Sequence, residues 1–321
     1  MTVTTTLLIL LSLVLICLSV AELICRHLGF HRPLIYERTD YGYRIRPGQE
    51  LQFMGRRVSI NAQGLRSDAI AEVPRDGVVR VLALGDSITN GGVTTPQDLT
   101  YPMLLQAELA GAGIKSEVLN ASAGGWALEN ELGWIEANGL YGCDFVVHQV
   151  ATHDLHQRLS PSSLVDRHPS FPSRLPRLGL QYVFQRRVLP HIRLRMQLAD
   201  PGAYQVDRTP EDIDRAFRVL DRVRFRVEAA GATLIVLHVE QPQPLEPHDL
   251  LTVDAKARLV TWCRESGTPL VQTAERLEAG GGRRLFMDHM HPTSAGNVIL
   301  ASAVSEALLP LLETPPLPLP H

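Results

Sequence analysis

Val78-Val79-Arg80-Val81-Leu82-Ala83-Leu84-Gly85-Asp86-Ser87-Ile88-Thr89 opens on an apolar run broken by one arginine and closes on a glycine, an acid and a serine. A short continuous apolar run, Val78 to Leu84, reads as a strand buried on both faces, the habit of a parallel sheet. Working outward, the downstream sequence alternates strand and helix. Tyr101 to Leu109 has a helical pattern, Glu117 to Leu119 reads as a strand, Ala127 to Leu140 as a helix and Asp144 to Ala151 as a third strand. Glu211 to Ala230 is a long helix with Thr209 as N-cap and Pro210 at its first position. Thr233 to Val239 and Pro269 to Gln272 supply two more strands, Leu251 to Glu265 a helix, and Ser294 to Leu309 the closing helix. Such alternation predicts an α/β fold, a three-layer α/β/α sandwich around a mainly parallel five-stranded sheet.

Leu155 to Asp200 does not fit the alternation. It holds eight arginines, from Arg158 to Arg195, against Asp166 alone before Asp200, and adds Phe171, Tyr182 and Phe184. The segment reads as an inserted cap over the carboxyl edge of the sheet. It is either a solvated basic face or a lid for an anionic partner.

Upstream, Met1 to Ala21 carries no charged side chain and is long enough to cross a bilayer. It reads as a membrane anchor or a signal peptide within residues 1–30, with Ser19-Val20-Ala21 as an acceptable cleavage site. Residues 31–76 read as a linker and a small β element. In it Leu51-Gln52-Phe53 and Val58-Ser59-Ile60 flank Gly55 as in a hairpin, and Asn61 to Gly64 make a turn. The sheet domain then spans 77–312, and the Pro-rich tail 313–321 is expected to be extended. A net charge of -3 gives no reason to expect a nucleic-acid partner. Four cysteines without CxxC or zinc-ligand spacing predict no metal site and no cofactor; Cys143 and Cys263 are two buried thiols or a disulfide.

Ligands of open α/β sheets bind beyond the carboxyl ends of the strands, where Ser87 stands. Gly85 allows a tight turn, and the Ser87 N–H can meet an oxyanion. By itself a serine after a strand is more often a helix cap. An alcohol also needs a base to take its proton, and imidazole titrates in the required range. Asp288-His289-Met290-His291-Pro292 offers His291 as base and Asp288 to fix its tautomer, with His289 as the alternative base.

Together these pieces resemble the SGNH (GDSL-like) hydrolases, in the order that family shows. Gly85-Asp86-Ser87 matches its first block, Asn120-Ala121-Ser122-Ala123-Gly124-Gly125 its second, Ala151-Thr152-His153-Asp154 its third and Asp288 to Pro292 its last. Asn61 to Arg66 is similar to bacterial members with an N-terminal membrane segment. The resemblance covers residues 60–309 and implies a serine ester hydrolase with Ser87, His291 and Asp288 as triad. It implies an oxyanion hole from the N–H groups of Ser87 and Ser122 with His153, and supporting roles for Asp86, Asp154 and Gly125. Acyl esters of carbohydrate or lipid are the implied substrates.

Two positions depart from the family pattern. Ser122 stands where glycine is usual, and His153 where an asparagine helps to hold the oxyanion. A neutral imidazole can still donate one N–H; loss of one oxyanion donor costs about 2.7–4 kcal/mol of barrier. An O-acyltransferase would use the same triad, so only its products separate it from a hydrolase. A non-catalytic glycan- or lipid-binding protein on the same fold is the reading His153 favours; burst release from an activated ester separates it from an enzyme. Arg26, Arg32 and Arg38 after the apolar segment favour a cytoplasmic domain by the positive-inside rule. The resemblance implies a domain outside the cytoplasm, periplasmic or secreted, and that is the expectation carried forward.

Overall fold

The computed structural model describes residues 2–196, 209–240 and 249–313. The expected extended tail and the last four residues of the insertion lie outside them. An apolar helix α1 (Val3–His27) leads into two antiparallel hairpins, β1 (Tyr36–Thr39) with β2 (Gly42–Ile45) and β3 (Gln49–Phe53) with β4 (Arg56–Ile60). The doubly wound part follows: β5 (Val79–Gly85), the one-turn α2 (Ser87–Asn90), α3 (Tyr101–Gly111), β6 (Ser116–Ser122), α4 (Leu128–Asn138) and β7 (Phe145–Ala151). The insertion contributes α5 (Gly179–Val183) and α6 (Leu189–Arg195), joined by a π turn over Phe184–Val188. The fold closes with α7 (Pro210–Ala229), β8 (Thr233–Val239), α8 (Leu250–Ser266), β9 (Leu270–Gln272), α9 (Ala274–Gly280) and α10 (Ser294–Glu313).

The five long-range strands form one parallel sheet in the order β6-β5-β7-β8-β9. Alternate residues of β5 enter different cores, as a pleated strand dictates. Leu82 and Leu84 pack with α4, α7 and α8, through Ile135, Leu220 and Leu259 among others. Val81 and Ala83 pack with α3 and α10, through Leu105 and Val304. This is the three-layer sandwich that the alternation predicts. Arg80, the break in the apolar run, is buried because its guanidinium is satisfied there. It donates to Glu117 Oε2 at 2.6 and 2.9 Å and to the Ala71 and Tyr141 carbonyls.

Residues 31–76 do more than tether. Both hairpins belong to the same hydrophobic cluster as the sheet. Tyr43 is fully buried, its ring 4.7 Å from that of Phe171 in the insertion. α7 begins as expected, against the segment that follows β7. Thr209 accepts the Asp212 N–H, and the buried Asp212 carboxylate accepts from Arg158 at 2.8 Å. Burial alone raises the pKa of that carboxyl, but Arg158 and Arg215 outweigh it and hold it far below the usual range. Arg158 is therefore engaged by Asp212 although its side chain is exposed. The four cysteines are free thiols, three of them buried.

Candidate active site

Ser87 sits at the turn out of β5, the central bend of the sheet's carboxyl edge. Asp86 is the N-cap of α2, its Oδ1 accepting the Ile88 N–H at 2.8 Å, which leaves the serine at the first helical position. The glycine before them is required for space. A Cβ on Gly85 would stand 2.3 Å from Thr89 Oγ1 and 2.6 Å from the Gln149 amide.

From the other end of the chain, the loop before α10 reaches the same point. His291 Nε2 lies 2.9 Å from Ser87 Oγ, and His291 Nδ1 lies 2.7 Å from Asp288 Oδ2. Asp288 Oδ1 also accepts the N–H groups of Met290 and His291, each at 2.9 Å, which folds the loop around the carboxylate. Its partial burial alone would raise the carboxyl; the two backbone N–H groups and the His291 ring outweigh that and hold it at about 2. His289, the alternative base, is exposed and does not line the crevice.

A crevice of about 600 Å³ opens over Ser87, His291 and Asp288, with Leu34, Phe171 and Tyr182 among its walls and Arg186 and Arg187 beside them. Gly124 and Gly125 line it as well, and a Cβ on Gly124 would lie 4.0 Å from that of Ser87. Gly125 has φ +74°, and a side chain there would press on the Tyr43 hydroxyl at 3.0 Å. That hydroxyl donates to the Gly124 carbonyl at 2.8 Å, and Gln157 and Ser160 donate to the Gly125 carbonyl. The carbonyls are thus turned away and held, and the N–H groups of the glycine pair make no hydrogen bond among the described residues.

A family model described as GDSL-like lipase/acylhydrolase matches residues 83–299. The chain belongs to this family. The chain is similar in fold to a TesA crystal structure, at 20% identity and a TM-score of 0.48, over 72% of this chain and 99% of that one. An acetyl xylan esterase, AlAXEase, shares 14% identity at a TM-score of 0.48, over 72% of this chain and all of its own. A lipolytic G-D-S-L protein from Veillonella parvula shares 14% identity at 0.46, over 71% and 97%. No curated protein matches.

Two residues of the GDSL-like chain stand elsewhere than the resemblance implies. Ser122 is not at the crevice. β6 runs on past Leu119, pairing Ala121 with Leu84 and Ser122 with Gly85, so Ser122 stays in the sheet. Its hydroxyl donates to Asn120 Oδ1 and accepts from Asn90 Nδ2. The crevice wall begins at Gly124. His153 does not line the crevice either. Its Nε2 lies 3.3 Å from Asp154 Oδ1 and 3.5 Å from Asp86 Oδ2. Burial favours the neutral ring, but the carboxylates of Asp154 and Asp86 outweigh it and push the pKa up to about 9. These carboxylates favour the charged ring over the neutral donor expected. Asp154 also accepts the Ala151 N–H at 2.7 Å, a supporting contact. Asp86, His153 and Asp154 bring ligand atoms within 4.8 Å of one another, close enough for a metal ion, but His153 already supplies a positive charge there.

A second buried pair is Glu131 with His148. Glu131 Oε2 and His148 Nε2 are 2.6 Å apart; burial pushes the carboxyl well up and the imidazole down to about 4. The sequence reading assigned no role to Arg66, which shapes the loop after the nucleophile. This buried guanidinium donates to the carbonyls of Asn90, Gly92 and Thr95 and to Gln97 Oε1. Burial lowers its pKa to about 9. Its acceptors are carbonyls and an amide 24 to 31 residues further on, a partnership that no local pattern around Arg66 announces.

Proposed function

We propose that this family member is a serine ester hydrolase in which Ser87 Oγ attacks the ester carbonyl. The observation that carries the reading is the continuous relay from Asp288 through His291 to Ser87, at 2.7 and 2.9 Å, in the floor of an open crevice. His291 Nε2 takes the serine proton as the tetrahedral carbon forms, and Asp288 holds Nδ1–H and stabilises the imidazolium. The developing oxyanion is met by the Ser87 N–H and by the N–H groups of Gly124 and Gly125. Those groups point from fixed backbone and need no rearrangement as charge appears. His291 then protonates the leaving alcohol, and water repeats the sequence on the acyl-enzyme.

The substrate reading is an O-acyl ester of carbohydrate or lipid. Leu34, Val93 and Phe171 give the crevice an apolar wall for an acyl group, while Arg186 and Arg187 face an alcohol part that carries negative charge. The same reading puts the domain outside the cytoplasm, as the family resemblance implies, with the apolar α1 as its tether. Full-length protein in detergent, given p-nitrophenyl esters of increasing acyl length, should release nitrophenol with a burst equal to the enzyme present. Ser87→Ala should release none. Turnover by Ser87→Ala at the wild-type rate would end the assignment.

A further inference from the structure

We propose that the helical run 179–195 of the cap is a membrane-docking element, lying in the headgroup layer of an anionic bilayer beside the end of α1. The inference goes beyond the ester-hydrolase reading and does not depend on it. Its first support is an exposed apolar row. Phe184, Val188 and Ile192 recur at every fourth residue and are 49%, 41% and 39% exposed, with Leu175 and Leu178 at 52% and 49% just before them. Side chains at that spacing share a helix face. The helix spends its other faces on the protein: Gln185, Leu189 and Arg193 line one cavity, Arg186 and Arg187 line the crevice over Ser87, and Tyr182 belongs to both. The outward row is left half-exposed among the described residues.

The second support fixes the occupant. α1 is 25 residues long, exposed on nearly all sides and apolar enough to cross a bilayer. Its last turns are bonded to this same cap helix. The Glu22 carboxylate accepts the N–H groups of Gly179 and Leu180, both at 3.0 Å, and Arg26 donates to the Arg177 carbonyl at 3.0 Å. Gly179 packs so closely on α1 that a Cβ there would come within 2.6 Å of Cys25 Cβ. A bilayer crossed by α1 therefore ends where the cap helix begins, the helix that carries the apolar row.

The third support is charge. No acid interrupts residues 167–199. Arg167, Arg174, Arg177 and Arg193 line a cavity of about 700 Å³ against the single carboxylate of Asp166, which its Ser173 contacts hold ionised. Arginines flanking an apolar row at the interface are the pattern that binds anionic headgroups.

The test uses the full chain in nanodiscs of phosphatidylcholine, alone or mixed with phosphatidylglycerol. The lipids carry bromine on the acyl chain near the headgroup, where it quenches tryptophan. Phe184→Trp and Ile192→Trp are compared with Phe225→Trp, an exposed phenylalanine on α7, after subtraction of the wild-type signal. Emission from positions 184 and 192 should be quenched about threefold more than from position 225, and more strongly in the anionic discs at low salt. Replacing Arg174, Arg177 and Arg193 by Gln should erase the difference between disc types. Quenching no greater than at position 225 in both disc types overturns the docking. Quenching that ignores phosphatidylglycerol overturns the anionic headgroup contact. Neither readout involves turnover, so an inactive protein and an undocked one are told apart.

Discussion

The carboxyl edge of the sheet and the cap above it are built by opposite rules. At the sheet edge the groups that shape the site are held by specific partners: Asp86 caps α2, Arg66 holds four acceptors, and Asp288 holds its own loop. In the cap, arginines and large apolar side chains stand exposed in alternation. Fixed dipoles in a buried frame suit a reaction whose charge appears at one point. Exposed arginines and apolar side chains suit a partner that is large, soft and charged. The difference teaches that chemistry and choice of partner are separable in this chain, and substitutions should separate them.

The largest effect belongs to the sheet edge. Ser87→Ala and His291→Ala should each lower kcat for a p-nitrophenyl ester by about 10⁴-fold or more, since triad members act as a unit. His289→Ala should change kcat by less than about twofold, as expected for a surface side chain away from the crevice. Asp288 is held at about 2, so a fall in rate between pH 7 and pH 4 must come from another group. The rate–pH profile of Asp288→Asn checks this: the acid limb should persist although Asn cannot titrate, while the plateau drops. If His289→Ala proved as damaging as His291→Ala, the relay seen at 2.9 Å would not be the working one.

Arg66 gives the next largest effect, and it sharpens the comparison directly. Arg66→Met leaves the carbonyls of Asn90, Gly92 and Thr95 without their donor in a buried loop. The loss should be about 3 kcal/mol or more of stability, read from urea unfolding in detergent. Arg195→Gln removes the same charge from the exposed cap surface and should change stability by less than about 0.5 kcal/mol. Equal losses at the two sites would mean that the cap is packed as firmly as the sheet edge, and the division drawn between them would fail.

Much of the sheet edge was legible because its signals are local. The apolar run ending at Gly85, the helix started by Thr209 and Pro210, and the Asp288–His291 spacing all act within a few residues. The structure returns β5 and α7 close to where the pattern put them, and it brings His291 within hydrogen-bonding distance of both Asp288 and Ser87. What the sequence hid depends on distant partners. The β1–β2 hairpin is held by Tyr36 and Tyr43 against Phe171, over a hundred residues on. The crevice wall moved from Ser122 to Gly124 because β6 follows β5 to its end, a register that no residue in the block announces. In the cap, the eight arginines read as one basic group, but Arg158 is paired with the buried Asp212, while Arg167, Arg174, Arg177 and Arg193 line a cavity.

His153 lies on the border between the two regions, and its prediction is the smallest and the most discriminating. In the family pattern its position faces the oxyanion; here its Nε2 faces Asp154 and Asp86, and the ring is 25% exposed. With the folded pKa raised to about 9 and an unfolded value near 6.5, the folded chain binds more protons than the unfolded one across that interval. The stability it contributes is therefore fully present below pH 6.5 and is lost as pH rises through 9. Burial also pushes the Asp154 carboxyl up, which acts in the same direction. Melting temperatures in detergent should fall between pH 6.5 and 9 for wild type. The fall should be shallower for His153→Gln, which keeps a donor but cannot titrate. At pH 7 that variant should keep kcat within about threefold, because the imidazolium holds carboxylates in place and gives no hydrogen bond to the oxyanion. A loss of about 10²-fold in kcat with unchanged melting would instead make His153 an oxyanion donor and return it to the catalytic side of the border.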